Sequence, residues 1–363
     1  MLSLKKYKVI VYAISKNEEK FVDRWYNSMK EADQIYVLDT GSNDNTVSKL
    51  KKHGVKVKQK VIKPWRFDVA RNTSLEMVDS DADICICTDL DEVLLPGWRD
   101  ELEKAWQKDA TRARYNYNWS LDDNNKPLVS FYTDKIHVRN GYKWTHPVHE
   151  VLTYKDNTEN IITINNITLN HYPDRTKSRS SYLPLLELSV KENPLDDRNM
   201  HYLGREYMYY GQWEKSIKTL KKHLKLENAT WKDERCASMR FISRCYQNLN
   251  KIKEARSWLK KAIKEAPYLR DPYVEMALLE YKQENYKRVE IYCLKALQIR
   301  NHQKSYINEI FSWDGTIYDL LSISCFYLGK INYAIYFVDL ALDYNPNDER
   351  LITNRKIFKE KED

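Results

Sequence analysis

Three acidic side chains, Asp89, Asp91 and Glu92, fall within four positions, one residue after the apolar run Ile84-Cys85-Ile86-Cys87. Carboxylates spaced this way can hold a hard divalent cation, which takes oxygen ligands and also bridges diphosphate oxygens. Such a cation neutralises the charge that develops on a departing diphosphate. On residue type and spacing alone, Asp91 is placed to hold the cation and Asp89 to accept from a ribose hydroxyl. Three other segments carry comparable groups: Ala13 to Glu18, Leu38 to Thr46 (LDTGSNDNT) and Pro64 to Asn72 (PWRFDVARN). Within them Asp39 can accept hydrogen bonds from a base, and Arg71 can add a cationic contact to phosphate. Ala13, Ser15, Glu18, Asp68 and Leu90 lie in or beside the same segments and are candidates for the same site. There is no GxGxxG and no GxxxxGK[ST] element, so neither a dinucleotide fingerprint nor a P-loop is present by motif.

These segments share one feature: each follows an apolar run. Val9–Ile14 is almost continuously apolar, as expected of a strand buried on both faces. Gln34–Leu38, Val55–Val61 and Ile84–Thr88 read as further strands. Asn17–Met29, Asn45–His53 and Phe67–Val78 read as the helices between them. The alternation predicts a doubly wound α/β sheet. In such sheets ligands sit outside the carboxyl ends of the strands, where the four polar segments converge. Residues 111–172 are rich in strand-forming pieces with turn signals at Asp122-Asp123-Asn124-Asn125 and Asn140-Gly141, and predict an antiparallel extension of the sheet.

From Ser178 onward the pattern is helical and repetitive. Gly204 is followed twelve residues later by Ser216. Ser243 is followed by Ala255 and Ala262, Ala277 by Val289 and Ala296, and Ser322 by Ala334 and Ala341. Small residues at these offsets let two helices of a tetratricopeptide-like unit approach closely. Four units share the register, with insertions around Thr230–Arg235 and His302–Asp314. The expected organisation is an α/β domain over residues 1–175 and an all-α helical repeat domain over 176–363.

The chain has 363 residues, a net charge of +8, 42% hydrophobic and 31% charged residues, a composition that folds as a water-soluble globule. Residues 1–178 carry 28 basic against 26 acidic side chains, and the remainder 32 against 26. Most of the excess therefore sits in the helical part. The first apolar run is too short for a signal peptide, and no stretch approaches the ~20 apolar residues of a spanning helix. Six cysteines without a CxxC pair read as buried free thiols. A cytoplasmic protein is expected.

Residues 8–172 resemble the glycosyltransferases of family 2, which have the GT-A fold. The resemblance is carried by Ser15-Lys16-Asn17-Glu18-Glu19, by LDTGSNDNT, by Phe67-Asp68-Val69-Ala70-Arg71-Asn72, and by Cys87 to Leu94 (CTDLDEVL) as the D-x-D element. Lys143 to Leu152 (KWTHPVHEVL) and Asn170-His171-Tyr172 resemble a bacterial subset with tetratricopeptide repeats after the catalytic domain. The resemblance implies a sugar donor that is usually a uridine diphosphate sugar, Mn²⁺ or Mg²⁺ as cofactor, and mostly inverting transfer. Matched by position, Asp39 would contact the base, Asp89 the ribose and Asp91 the metal, with Arg71 near the nucleotide. Inversion needs a carboxylate base for the acceptor. Glu150 is the candidate, ahead of Asp122, Asp123 and Asp134, and Asp122-Asp123 reads better as a turn. His149 is the candidate third metal ligand; His171 is a weaker one and His146 reads as a loop residue. Trp65, Phe67, Trp119 and Trp144 are candidates for a sugar-stacking floor.

The membrane-bound synthases of this family carry a QxxRW element and spanning helices. Neither is found here, and the expectation is a non-processive enzyme. The repeats would present a protein or peptide acceptor, or pair two copies of the chain. The charge of the helical part leaves glycan and modified DNA acceptors open. The competing expectation is a repeat scaffold whose nucleotide-sugar domain senses rather than catalyses.

Overall fold

A computed structural model describes residues 6–155, 158–174, 176, 182–302 and 305–361. The chain divides into two compact units, Met1–Ser189 and Val190–Asp363.

The first unit is built on a mixed sheet. Its elements are β1 (Val9–Ser15), α1 (Val22–Met29), β2 (Gln34–Asp39), α2 (Thr46–Lys52), β3 (Lys56–Gln59), α3 (Phe67–Glu76) and β4 (Ile84–Thr88). Then come β5 (Glu92–Leu94), α4 (Trp98–Ala105), β6 (Arg112–Leu121), β7 (Pro127–Val138), β8 (Tyr142–Thr145), β9 (Val151–Tyr154) and β10 (Ile161–His171). Eight strands hydrogen-bond in the order β3-β2-β1-β4-β7-β6-β10-β5, and β8 and β9 form a separate hairpin. β1 pairs in parallel with β2 and β4, setting Ser15 beside Asp39 and Ala13 beside Thr88. Three strand ends therefore open on one rim. The extension is antiparallel where β7 meets β4 and β6, but β10 runs parallel to β6.

The apolar runs explain this order. β1 and β4 are the central pair and nearly every residue in them is buried; β3, an edge strand, exposes three of its four residues and alternates lysine, as edges do. One face of the sheet packs around Val9, Val11, Trp25, Ile84, Ile86 and Trp98. The other carries Ile10, Tyr12, Cys85, Cys87 and Trp144. All six cysteines are free and buried. Burial pushes the Cys85 thiol up to about 12 and the Cys87 thiol up to about 11, so neither is a nucleophile at neutral pH.

Two expectations need correction. The segment from Asn17 to Phe21 lies outside α1. Asn17 takes a positive φ of 55°, and the Glu18 and Glu19 amides donate to the Thr46 hydroxyl and the Asp44 carboxylate. Those bonds compete with the first helical turn. Trp144 belongs to the core: it is 3% exposed and its indole donates to the Tyr12 hydroxyl at 2.9 Å, so it presents no face to a sugar.

The second unit consists of helix pairs. α5 (Tyr182–Glu192) crosses the boundary between the units, which falls later than the change of sequence character at residue 175. Four pairs follow: α6 (Asp197–Tyr209) with α7 (Trp213–His223), α8 (Lys232–Asn248) with α9 (Ile252–Glu265), α10 (Asp271–Tyr281) with α11 (Tyr286–Gln298), and α12 (Thr316–Tyr327) with α13 (Ile331–Tyr344). α14 (Glu349–Lys359) follows the last pair. The residues of the twelve-residue register are buried at the pair interfaces. The spacing also acts through hydrogen bonds: Ser216 donates to the Gly204 carbonyl at 2.7 Å and Ser243 to the Ala255 carbonyl at 2.9 Å. A Cβ on Gly204 would run into the Leu220 side chain. Gly204→Ala is expected to destabilise the helical unit by about 1–3 kcal/mol through overpacking. Urea denaturation checks this; an unchanged midpoint would mean that α6 and α7 have room to separate.

Candidate active site

The rim is assembled from strand ends and one helix. β4 is buried at every position and delivers Asp89, Leu90 and Asp91 where its pairing with β1 stops. Leu90 is 1% exposed and packs into the core, so the loop is pinned by its middle residue while Asp89 and Asp91 point away from that anchor. Glu92, 1% exposed, holds the loop from behind. Its carboxylate accepts the Asp89 amide at 2.9 Å, the Tyr117 hydroxyl at 2.8 Å and the Lys135 ammonium at 3.2 Å. Burial and the Glu92 charge together push the Tyr117 phenol well up, so it stays a donor.

Arg71 is the hub. It sits on α3 and is 3% exposed. Its Nη2 donates to Asp89 Oδ1 at 2.7 Å and Oδ2 at 3.0 Å, its Nε to Glu150 Oε1 at 2.9 Å, and its Nη1 to Cys87 Sγ at 3.4 Å. The Trp144 ring lies 5.5 Å from the guanidinium. Neighbouring Asn72 bonds both the amide and the carbonyl of Trp144, which fixes α3 to β8. The guanidinium is thus committed to organising two carboxylates. Burial pushes the Asp89 carboxyl up, but Arg71 and Lys135 outweigh it and hold it well below the usual range. Burial alone would lower Lys135; Glu92 and Asp89 reverse that and raise it. Asp89 is therefore ionised and Lys135 charged at neutral pH.

Glu150 reaches Arg71 from the loop between β8 and β9. His146 and His149 in that loop take positive φ values of 77° and 51°, a strained arrangement for non-glycine residues. The loop is held by the Phe67 amide, which donates to the Pro147 carbonyl at 3.0 Å, and by Val148, 1% exposed. The His149 ring packs toward Tyr182 at 5.8 Å. The histidine facing Asp91 is His171: its Nε2 lies 3.4 Å from Asp91 Oδ2. The ring is oriented by its Nδ1, 3.0 Å from the Trp119 carbonyl, and by stacking on the Trp119 indole at 4.6 Å. The second loop position is fixed by the Tyr172 amide, which donates to the Asp91 carbonyl at 2.8 Å.

Asp39 is fully buried and turned into its own loop. Oδ2 accepts the Gly41 and Ser42 amides at 3.2 and 3.0 Å, and Oδ1 accepts the Ser15 and Ser42 hydroxyls. Gly41 has φ 112°, a conformation that favours glycine. Asn17 and Ser42 clip this loop to the one after β1. Ala13 lies inside the core and Ser15 is buried at the strand end. Glu18 stands on the clipped loop. Asp68 forms a two-pronged pair with Arg66 at 3.0 and 2.9 Å. Among the rival carboxylates, Asp134 pairs with Arg112 at 3.1 Å. Asp122 builds a turn by accepting the Asn124 and Lys126 amides; Asp123 is exposed in that turn. Trp65 and Phe67 meet edge to face at 5.0 Å, and Trp119 is 49% exposed.

One functional candidate escaped sequence reasoning. Lys135 looks like any strand lysine until β7 pairs with β4 and carries it to the loop after Thr88. For Lys135 the only signal was its alternation with buried Ile136, which by itself does not name a partner strand.

A divalent cation fits this donor set in one way. Among the described residues, no three His, Cys, Asp or Glu side chains converge to hold a metal by themselves. Asp91 and His171 supply two donors, an open set that diphosphate oxygens would complete, as Mg²⁺ and Mn²⁺ sites commonly require. Burial lowers the His171 pKa, but the Asp91 contact reverses this and raises it. Because the folded value lies above the unfolded one, the pair stabilises the fold fully below about pH 6.5. That contribution is lost as pH rises through the raised value. His171→Asn should therefore cost about 1 kcal/mol at pH 5.5 and less at pH 8.5. Urea denaturation at both pH values measures the difference; equal costs would remove the charged pair from the account.

Residues 10–155 match the model of the family described as Glycosyl transferase family 2. An uncharacterized glycosyltransferase of Rickettsia conorii is 37% identical over 97 residues, which is 26% of this chain and 33% of the relative. One of Rickettsia bellii is 35% identical over 97 residues, 26% of this chain and 32% of the relative. The chain thus spans about a third of the length of these curated relatives. YrrB, a TPR protein with an unusual peptide-binding site, superposes with a TM-score of 0.39 at 14% identity, covering 48% of this chain and 81% of its own.

Proposed function

From a glycosyl transferase family 2 domain over residues 10–155, we propose that the first unit transfers a sugar from a uridine diphosphate sugar to an acceptor, with inversion and with a divalent cation. The observation that carries this reading is the Arg71 hub. It ties Asp89 and Glu150 together beside the Asp91–His171 pair, which supports a reading in which Asp89 serves the nucleotide and Glu150 the acceptor. When bound, Mn²⁺ or Mg²⁺ supplies Lewis-acid charge to the diphosphate oxygens. Asp91 and His171 would hold it. Asp89, kept ionised by Arg71, accepts from the ribose hydroxyls. Lys135, 23% exposed at its side chain, adds positive charge beside them. The loop built by Asp39 shapes the base end.

Transfer breaks the bond between the anomeric carbon and the diphosphate oxygen while the acceptor oxygen forms a bond on the opposite face. The acceptor proton goes to a carboxylate. Glu150 Oε1 is engaged by Arg71, which leaves Oε2 to take that proton. Trp119 offers a face for stacking a sugar ring. The acceptor is a peptide or a glycan.

Glu150→Gln tests the assignment. A general base contributes about 10²–10⁴-fold, so transfer should fall by that factor while donor KM changes little. A variant that transfers at the wild-type rate would move the base elsewhere.

A further inference from the structure

Both insertions that interrupt the repeat register meet in space. Trp231, in the first, lies 5.5 Å from Tyr306, in the second. From Ser305 the second insertion runs across α6, α8 and α10, the first helices of three successive pairs, which also pack against one another. Tyr306 is 5.9 Å from Tyr202 of α6 and its hydroxyl donates to Glu234 of α8. Ile307 is 6% exposed and joins the apolar cluster of Met208, Phe241 and Ile242. The Ile307 carbonyl accepts Arg240 Nη2 at 2.9 Å. Glu309 pairs with Arg240 at 3.5 Å and with Arg244, and its amide donates to Asp271 of α10 at 2.7 Å.

The receiving side is prepared for these groups. Arg240 is 1% exposed and is also held by Glu275 at 2.8 Å. Glu234 is oriented by His223 at 3.3 Å, whose Nδ1 lies 2.9 Å from the Ser238 hydroxyl. An aromatic hydroxyl, an aliphatic side chain, a main-chain carbonyl and a carboxylate are each met by a matching partner. Main-chain bonds together with pockets for particular side chains are how a groove reads a peptide segment. A groove of about 480 Å³, lined by Arg244, Glu275, Leu278 and Phe311, continues beside the segment.

We propose that residues 305–312 are a built-in ligand, a strap that fills the peptide-binding face of α6, α8 and α10 and must leave before a peptide partner can dock there. The partner that fits is a peptide that takes the same turn, closed in the strap by the Asn308 amide donating to the Ser305 carbonyl at 3.2 Å, with an aromatic hydroxyl, an aliphatic neighbour and a carboxylate two residues further on, as in Tyr306-Ile307-Asn308-Glu309. The strap keeps its advantage because tethering makes its binding intramolecular. The proposal rests on the helical unit alone and stands or falls independently of sugar transfer.

The test uses the full chain and a labelled synthetic peptide of residues 305–313 (SYINEIFSW). The wild-type protein should bind it at least tenfold more weakly than a chain in which residues 305–312 are replaced by glycine and serine. Replacing tyrosine by alanine and glutamate by lysine in the peptide should abolish binding. Equal binding by both proteins, or no binding by a strap-replaced chain of unchanged helicity, overturns the proposal. Should the replacement unfold the repeats, the full-length double variant Tyr306→Ala, Glu309→Lys decides by hydrogen exchange. Amides of 305–312 should then exchange at least tenfold faster while those of α8 and α10 keep their protection. Unchanged exchange in the strap, or loss of protection throughout, overturns it.

Discussion

Arg71→Met should abolish transfer and destabilise the first unit by about 3–5 kcal/mol, the cost of leaving buried charge without its partner. The guanidinium is 4% exposed at its side chain, Glu150 is 13% exposed and Asp89 35%. Water can partly compensate Asp89, so most of the penalty falls on Glu150 and on the space left between β4, α3 and the β8–β9 loop. Arg71→Lys keeps the charge but cannot bind Asp89 with two hydrogen bonds while also reaching Glu150. It should recover part of the stability and little of the activity. Urea denaturation and a transfer assay on both variants separate the two effects. A stable, active Arg71→Met chain would mean that neither carboxylate depends on the hub.

Asp91→Asn is expected to behave oppositely. Asp91 is 23% exposed at its side chain and touches His171 only at 3.4 Å, so stability should change by no more than about 1 kcal/mol. Activity should fall about 10²–10³-fold. A cation on the diphosphate is worth several kcal/mol in the transition state, and each 1.36 kcal/mol is tenfold in rate. The contrast between the two variants distinguishes a residue that builds the rim from one that acts on the ligand. Melting curves with and without uridine diphosphate and Mn²⁺ provide a second readout: the wild type should gain stability from the pair of ligands, and the Asn variant should gain less.

Much of this was legible in the sequence, for a physical reason. Strands buried on both faces write themselves as unbroken apolar runs, and Ile84–Thr88 is the same element in sequence and structure. Small residues at twelve-residue spacing announced the helix pairs because the helices approach closely there, as at Gly204, where a Cβ would run into the Leu220 side chain. Groups brought together by pairing register were not legible. Lys135 reaches Asp89 through the antiparallel pairing of β7 with β4. His171 comes to Asp91 because β10 pairs with β5, setting His171 opposite Glu92; as a sequence feature it is indistinguishable from His149. Trp144 looked like a sugar platform because an aromatic beside a site loop and one beneath it share a composition. The loop from Asn17 to Phe21 looked helical because apolar spacing does not register side chains that bond a neighbouring loop. The strap appeared only as a break in a repeat, since nothing local says where an insertion will lie.

The central claim is that the rim around Arg71 turns over a nucleotide sugar with a divalent cation. Release of uridine diphosphate from a panel of uridine diphosphate sugars, measured with Mn²⁺ and after its removal by chelation, tests it most directly. The account predicts release from at least one donor, loss of release on chelation, recovery when Mn²⁺ or Mg²⁺ returns, and about 10²–10³-fold less release by Asp91→Asn. Release that continues at full rate after chelation and in Asp91→Asn would contradict it.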